Sequence, residues 1–359
     1  MTIYDTLKIH LEKYPLMEPT DAVKLLYQRE FAGGHMIKDE FTCLKWIENE
    51  GSSLTADQLT QPYFEDIGGG YCRLNLSVMS KLPAEVIAKI FIQSSNNNKG
   101  TVENFEKGLD ALRCLCKEGK CNFTEDKLEA YLDNYKKAGY PAVSHSETYR
   151  NNYHPAYRVV EKKYCDFIEV IISICRLMGR KEEVTVAIDG MAGAGKSNLA
   201  KLLSDIFDCN VFHCDDYFLT PELRTEERLK EVGGNMDYVR FRSEICDNLN
   251  SGREFTYTKF DCSTQEMSER VTVSPKRINI IEGSYSMHPT LMKYYELYIF
   301  LGIEPQLQIE RILRRNGEFL HKRFVNEWIP KENAYHEAMD IKAKCDLVYY
   351  IDEKGVHLQ

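Results

Sequence analysis

The stretch Val184-Thr-Val-Ala-Ile-Asp-Gly-Met-Ala-Gly-Ala-Gly-Lys-Ser197 constrains this chain more than any other. Val184 to Ile188 read as a buried strand, and Asn198-Leu-Ala-Lys-Leu-Leu-Ser-Asp-Ile-Phe207 as a helix. Between them stand Gly190, Met191, Ala192, Gly193, Ala194, Gly195, Lys196 and Ser197, the glycine loop in the strand-to-helix context that a phosphate nest requires. The glycines allow backbone angles and close approaches that a Cβ would block. Their N–H groups, with the positive end of the helix that Lys196, Ser197 and Asn198 begin, make an anion site. Lys196 is expected to reach the β- and γ-phosphates of ATP, and Ser197 to ligate Mg²⁺. The reading is therefore of a bound nucleoside triphosphate, and what is done with it must come from other residues.

At 359 residues the chain has length for two domains. A net charge of -9 argues against a nucleic-acid partner. No apolar run reaches the ~20 residues of a membrane span, and Phe167–Cys175, the best of them, is interrupted by Glu169. The first residues lack the basic-then-apolar pattern of an export signal, so a cytoplasmic address and reduced thiols are expected for the 12 cysteines. Cys114, Cys116 and Cys121 lie close enough in sequence to suggest a metal, but paired spacing and a fourth ligand are missing, which favours plain thiols. The pattern leaves the oligomeric state open, a homo-oligomer included.

Residues 1–154 read as a mainly α-helical N-terminal domain. Helical spacing predicts Tyr4–Tyr14, Ala22–Phe31 opened by Pro19-Thr-Asp21, Glu40–Asn49 stopping at Gly51, Pro83–Gln93, Val102–Glu118 and Thr124–Ala138, with a short strand near Tyr71–Ser77. Gly139 to Arg158 is dense in Tyr, His and Arg. With Gly33-Gly34-His35 and Gly68-Gly69-Gly70 it offers a second ligand pocket, though a loop docked through aromatic contacts is the plainer expectation. An apolar stripe from Val160 to Met178 predicts one long connecting helix over 155–180.

From 181 to 359 strands and helices alternate, the signature of an α/β domain with a parallel sheet flanked by helices. Cys209–His213 is a strand ending in Cys214-Asp215-Asp216-Tyr217-Phe218. Ligands of such sheets bind beyond the carboxyl ends of strands, where a carboxylate can take a proton from a hydroxyl or join a Mg²⁺ shell; helix capping is the alternative. Asp237 and Arg240, three apart, would share a helical face, with Asp237 accepting from substrate hydroxyls or capping. Glu254–Asp261 and Val271–Val273 are expected to pair as a ribbon. Arg277–Glu282 is another buried strand ending in an acid, Glu282, placed to hold Mg²⁺. The helix Gln306–Arg315 carries Arg311, Arg314 and Arg315 on one side, where a triphosphate would relieve their repulsion. Lys344–Ile351 is the last expected strand.

Taken together, Gly190–Ser197, His213-Cys-Asp-Asp-Tyr-Phe218, Asn235-Met-Asp237, Ile281-Glu-Gly-Ser-Tyr285 and the arginine helix resemble the uridine kinase and phosphoribulokinase superfamily of P-loop small-molecule kinases, over about residues 183–352. The resemblance implies a P-loop NTPase-type fold and ATP and Mg²⁺ as cofactors. It implies Asp215 as the general base, Asp237 as a sugar-hydroxyl ligand, Glu282 as the acid near Mg²⁺, and the arginine helix to Trp328 as a lid. Tyr217, Phe218 and Arg240 are expected beside the acceptor. The implied activity is phosphoryl transfer to a hydroxyl of a uridine- or cytidine-like nucleoside or a related metabolite. An acceptor of the pantothenate or nicotinamide riboside type and a nucleotide-dependent sensor are the alternatives. Where nucleoside kinases of this superfamily often carry a His-Ser-Arg-like triplet, this chain has Lys259-Phe-Asp-Cys-Ser-Thr264.

Overall fold

The computed structural model describes residues 2–249 and 251–359 and divides into two compact units, Met1–Ile168 and Glu169–Gln359. The first is built on helices α1 (Ile3–Lys13), α2 (Pro19–Phe31), α3 (Glu40–Ser52), α4 (Ala84–Asn96), α5 (Val102–Lys117), α6 (Glu125–Lys137) and α7 (Glu147–Tyr153). Their starts follow from capping chemistry: Thr2, Asp39, Thr101, Thr124 and Ser146 each accept a backbone N–H of the first turn, and Pro19 opens α2. Leu7, Leu11, Leu25, Phe105, Leu112 and Leu128 form the core between them. Helix α3 runs through Gly51 rather than stopping there, and its buried positions are Cys43 and Ile47.

A three-stranded antiparallel sheet, β1 (Phe64–Gly68), β2 (Tyr71–Asn75) and β3 (Tyr157–Glu161), completes this unit. The β1–β2 turn is Gly68-Gly69-Gly70; a Cβ on Gly69 would lie 2.6 Å from the Arg29 carbonyl oxygen. Strand β3 corrects the expectation of one helix from 155 onward. Val159 and Val160 are β-branched, buried, and paired with Arg73 and Cys72 of β2; the helical stripe begins after them, in the short helix Lys162–Asp166 that buries Tyr164, and continues in α8 (Ile168–Met178). The Tyr- and His-rich segment before β3 docks on this unit through His145 and Tyr149, which are buried, while most of its other residues stay at the surface. Arg73 donates to Gln28 Oε1 (3.1 and 3.0 Å) and pairs with Glu65 at 3.5 Å. Gln28 Nε2 donates to Tyr157 Oη (3.1 Å), Tyr157 Oη to His145 Nε2 (2.6 Å), and His145 Nδ1 to Asp21 (2.9 Å). These groups satisfy one another as a buried network requires. Cys116 is buried with Sγ on the Phe123 carbonyl (3.4 Å), whereas Cys114 is exposed.

The second unit holds β4 (Val184–Gly190), β5 (Cys209–His213), β6 (Phe255–Asp261), β7 (Glu266–Val273), β8 (Ile278–Glu282), β9 (Leu297–Ile303), β10 (Leu347–Asp352) and β11 (Gly355–Leu358). Its main sheet has the order β11-β10-β9-β4-β8-β5. Strands β5, β8, β4, β9 and β10 run parallel; β11 returns antiparallel on β10 after a turn in which Asp352 accepts from Lys354 N and Gly355 N. Val184 to Gly190 and Ile278 to Glu282 are buried throughout, as central parallel strands covered on both faces are. Helices α9 (Lys196–Ser204), α10 (Pro305–Arg323) and α11 (Ile329–Ala338) follow β4, β9 and an intervening turn of helix. The ribbon β6–β7 is separate and antiparallel, longer on its second strand than expected. The chain leaves β4 for β5, returns to β8 between them, then crosses to β9 on the far side of β4. The carboxyl end of β4 is therefore the switch point where a crevice opens.

Candidate active site

Three strands end at this crevice. At the end of β4, Gly190 has φ 141°, and a Cβ there would meet the Leu301 carbonyl oxygen at 2.1 Å, so the loop can leave the sheet only through glycine. Gly193 and Gly195 also have positive φ, and the turn passes straight into α9. Lys196 Nζ donates to the carbonyls of Gly190 (2.8 Å) and Met191 (3.2 Å) and to Ser284 Oγ (3.2 Å), which holds the ammonium across the loop mouth. The side chains of Met191, Ala192 and Ala194 pack toward protein, so their contribution to a phosphate is backbone; Ser197 and Asn198 are exposed on the first turn of α9.

At the end of β8, Glu282 Oε1 accepts from Ser197 Oγ (3.0 Å) and from His213 Nδ1 (2.5 Å). The hydrogen bond to Glu282, with that carboxylate's charge, raises the His213 imidazole above its ordinary value. Beyond β5, Asp215 lies in a turn of 3₁₀ helix. Its side chain is accessible, yet protein surrounds it at longer range, as at the floor of a concavity. That enclosure and the charge of Glu282 push its carboxyl above 3.8, while Lys196, His213 and Arg315 pull the other way. Ser197 Oγ and Glu282 are adjacent hard oxygen donors beside a phosphate nest, the donor set that suits Mg²⁺. Asp215 is electrostatically coupled to Glu282.

Helix α10 supplies the arginines. Arg311 donates to the Gly193 carbonyl (3.2 Å), and burial together with the charge of Arg314 lowers its guanidinium. Arg315 reaches Asp215 electrostatically and donates to Asn316 (2.8 Å); Arg314 is exposed. Gly317, at φ 72°, kinks the helix beyond them, and Phe319 past the kink is 79 % exposed.

The acceptor set divides. Phe218 lines a cleft of about 370 Å³ with Asp215, Asp216, Lys259, Phe260 and Ser268, between the turn after β5 and the β6–β7 ribbon. Tyr217 does not line it: it is 1 % exposed, edge-on to Phe241 and stacked with Tyr257, and its hydroxyl donates to Glu244 (3.0 Å). In a pattern of adjacent residues turning through a 3₁₀ helix, one of the pair must face the core. Asp237 caps the short helix Tyr238–Phe241 by accepting from Arg240 N (3.0 Å) and is buried, the capping alternative of the two expected. Arg240 lies over the Tyr217 ring at 4.2 Å and donates to the Asp216 carbonyl (2.9 Å), so it braces the turn that presents Asp215.

Two buried carboxylates went unmarked by the sequence. Asp189, 0 % exposed, accepts from Gly190 N, Met287 N, Tyr335 Oη and His336 Nε2 at 2.7 to 3.2 Å. Burial works to raise its carboxyl, but the His336 hydrogen bond and charge and the Met287 N–H outweigh it and leave it lowered. Glu332 accepts from Ala192 N and from Ser284 Oγ, each at 2.9 Å. Asp189 stands in β4 one residue before the loop pattern opens at Gly190, where the motif specifies nothing. Glu332, Tyr335 and His336 are 136 or more residues from Lys196 in sequence, beyond any local pattern.

No family model and no curated protein matches the chain. Among solved structures it is similar to a possible uridine kinase from Bacillus stearothermophilus, at 20% identity and TM-score 0.39, over 51% of this chain and 98% of that one. A provisionally named fructose transport system kinase from Silicibacter sp. aligns at 21% identity and TM-score 0.38, over 46% and 93%. The deoxyadenosine kinase of M. mycoides with bound dATP aligns at 15% and 0.24, over 48% and 92%. Overlays this loose leave the functional reading to rest on the geometry of the site.

Proposed function

We propose that this chain is an ATP- and Mg²⁺-dependent kinase that transfers the γ-phosphoryl to a hydroxyl of a nucleoside-like or related small metabolite. The observation that carries the reading is the meeting of three elements at one crevice. They are the phosphate nest with Lys196, the Ser197–Glu282 oxygen pair, and an accessible carboxylate, Asp215, that also lines a separate cleft. A nest alone fits any NTPase; a carboxylate facing both the nest and a second cleft adds a place for an acceptor.

The roles follow from position. The loop amides and Lys196 would hold the triphosphate, and Ser197 and Glu282 the metal, which when bound neutralises charge on the phosphates. Asp215 would accept the proton of the acceptor hydroxyl, and its raised carboxyl suits that task better than an ordinary one. Arg311 and Arg315, on the helix beside the loop, would stabilise charge on the transferring group. The cleft also bears on the acceptor. Asp215 and Asp216 disfavour an anion there, and Lys259 is already paired with Glu269 (2.9 Å). Carboxylates beside Phe218 suit a neutral molecule with hydroxyls to donate and a face to stack, which supports a nucleoside- or sugar-like acceptor over a phosphorylated one. ADP release measured with ATP, Mg²⁺ and a panel of such molecules tests this: acceleration by one of them is expected, and a slow rate indifferent to all of them would overturn it.

A further inference from the structure

Helix α11 touches the phosphate loop at a point that none of the roles above uses. Glu332 is 7 % exposed and spends both oxygens there, Oε2 on the Ala192 N–H and Oε1 on the Ser284 hydroxyl, each at 2.9 Å. A buried carboxylate beside a nest meant for phosphate is unfavourable in itself, since it repels the ligand and loses its own hydration. Something local must gain from it. The cation connected to it is Lys196, through Ser284: the one hydroxyl proton of Ser284 goes to Glu332, which leaves its lone pairs for Lys196 Nζ at 3.2 Å. Without Glu332 that proton has another acceptor close by, the Gly190 carbonyl at 3.4 Å, which Lys196 itself holds at 2.8 Å. The Ala192 peptide is fixed on its other side too, because Gln308 Nε2 of α10 donates to its carbonyl at 2.9 Å.

We propose that Glu332 is a positioning residue for the phosphate loop. Through Ser284 it sets where the Lys196 ammonium stands, and through the Ala192 amide it sets the loop that receives the triphosphate. The inference rests on the nucleotide-binding part of the kinase reading and deepens it. It requires a carboxylate and not merely a polar group. A carboxylate only accepts, so it can take two donors at once, whereas an amide in its place would turn its own N–H₂ toward one of them.

The test is the binding of a fluorescent ATP analogue to the full chain with Mg²⁺, and its displacement by inorganic tripolyphosphate, alongside thermal melting. Glu332→Gln should weaken both ligands roughly tenfold, and the unpaired buried donor it leaves should also lower the melting temperature by some degrees. Ser284→Ala, which leaves α11 intact, should weaken them similarly, and the double variant should be no worse than the worse single one. Glu337→Gln, on an exposed position of the same helix, should match the parent. Binding within twofold of the parent in both Glu332→Gln and Ser284→Ala would overturn the inference and leave the kinase reading standing. So would a loss of binding in both variants that disappears when they are assayed well below their melting temperatures. Failure of the parent protein to bind either ligand would overturn the nucleotide reading and the inference with it, before any variant is compared.

Discussion

At the residue scale the account turns on Lys196 and Asp215, which face the same crevice from different strands. Lys196→Ala should abolish turnover and weaken ATP binding, because the ammonium is placed at the loop mouth by two carbonyls and Ser284. Asp215→Asn should abolish turnover while nucleotide binding stays near the parent value, since Asp215 lies outside the loop. A binding titration beside the rate assay separates the two. The pH dependence has a definite sign. Enclosure and Glu282 raise the Asp215 carboxyl above 3.8, so the acid limb of the rate should lie above the ordinary carboxylate value, with activity lost as pH falls through it. Arg315 pulls that carboxyl down, so Arg315→Ala should move the limb upward; a limb that stays in place would separate Arg315 from the base. The phosphate loop, Asp215 and Glu282 were legible in sequence because each follows an apolar strand and so must stand at a carboxyl end. Tyr217 and Asp237 were not, because a short turn of helix sends neighbouring residues to opposite sides, and no periodicity over four residues tells which side is the core.

At the scale of elements, the crevice is held by helix α11 and by strand β9. Gly190 leaves β4 at φ 141° with Leu301 of β9 against it. Gly190→Ala puts a Cβ into backbone, not into a side chain that can swing aside, and should cost on the order of 3 kcal/mol; a urea melt within 0.5 kcal/mol of the parent, roughly the scatter of a harmless surface change, would contradict the close approach. Tyr335→Phe removes one of the hydrogen bonds on buried Asp189 and should cost about 1–3 kcal/mol. Elements with a clear apolar pattern were readable: β4, β5, β8 and helices α1 to α6 of the first unit. Strand β3 was hidden because Val160 and Tyr164 also fit a helical stripe, and only pairing with β2 decides between the two. Strand β11 was hidden because Gly355-Val-His-Leu358 is too short to carry a pattern and is made a strand by the edge of β10.

For the molecule as a whole, the first unit carries a definite response to acid. In the first unit, burial of His10 and His145 disfavours their cations and lowers each from 6.5 to about 4. The unfolded chain therefore binds protons at these sites before the folded one does. Stability is complete above pH 6.5 and is lost as pH falls from there toward 4, by up to about 3 kcal/mol for each imidazole. The two tryptophans, Trp46 and Trp328, lie one in each unit, so Trp328→Phe leaves a reporter for the first unit alone. Its urea midpoint should fall on acidification across that range, and a flat midpoint would contradict the neutral buried imidazoles. The sequence pattern changes near Val184, whereas the two units divide between Ile168 and Glu169, at the start of α8; the interior network of Arg73, Gln28, Tyr157, His145 and Asp21 was not legible, since its members come from three elements and a loop. The central claim is phosphoryl transfer at the carboxyl ends of β4, β5 and β8, and the most direct measurement is ADP release by the full chain with ATP, Mg²⁺ and a panel of nucleosides and neutral hydroxylated metabolites, run beside Asp215→Asn. The account expects at least one acceptor to accelerate release and Asp215→Asn to lose that acceleration while still binding ATP; release that no acceptor changes, or acceleration that survives in Asp215→Asn, would contradict it.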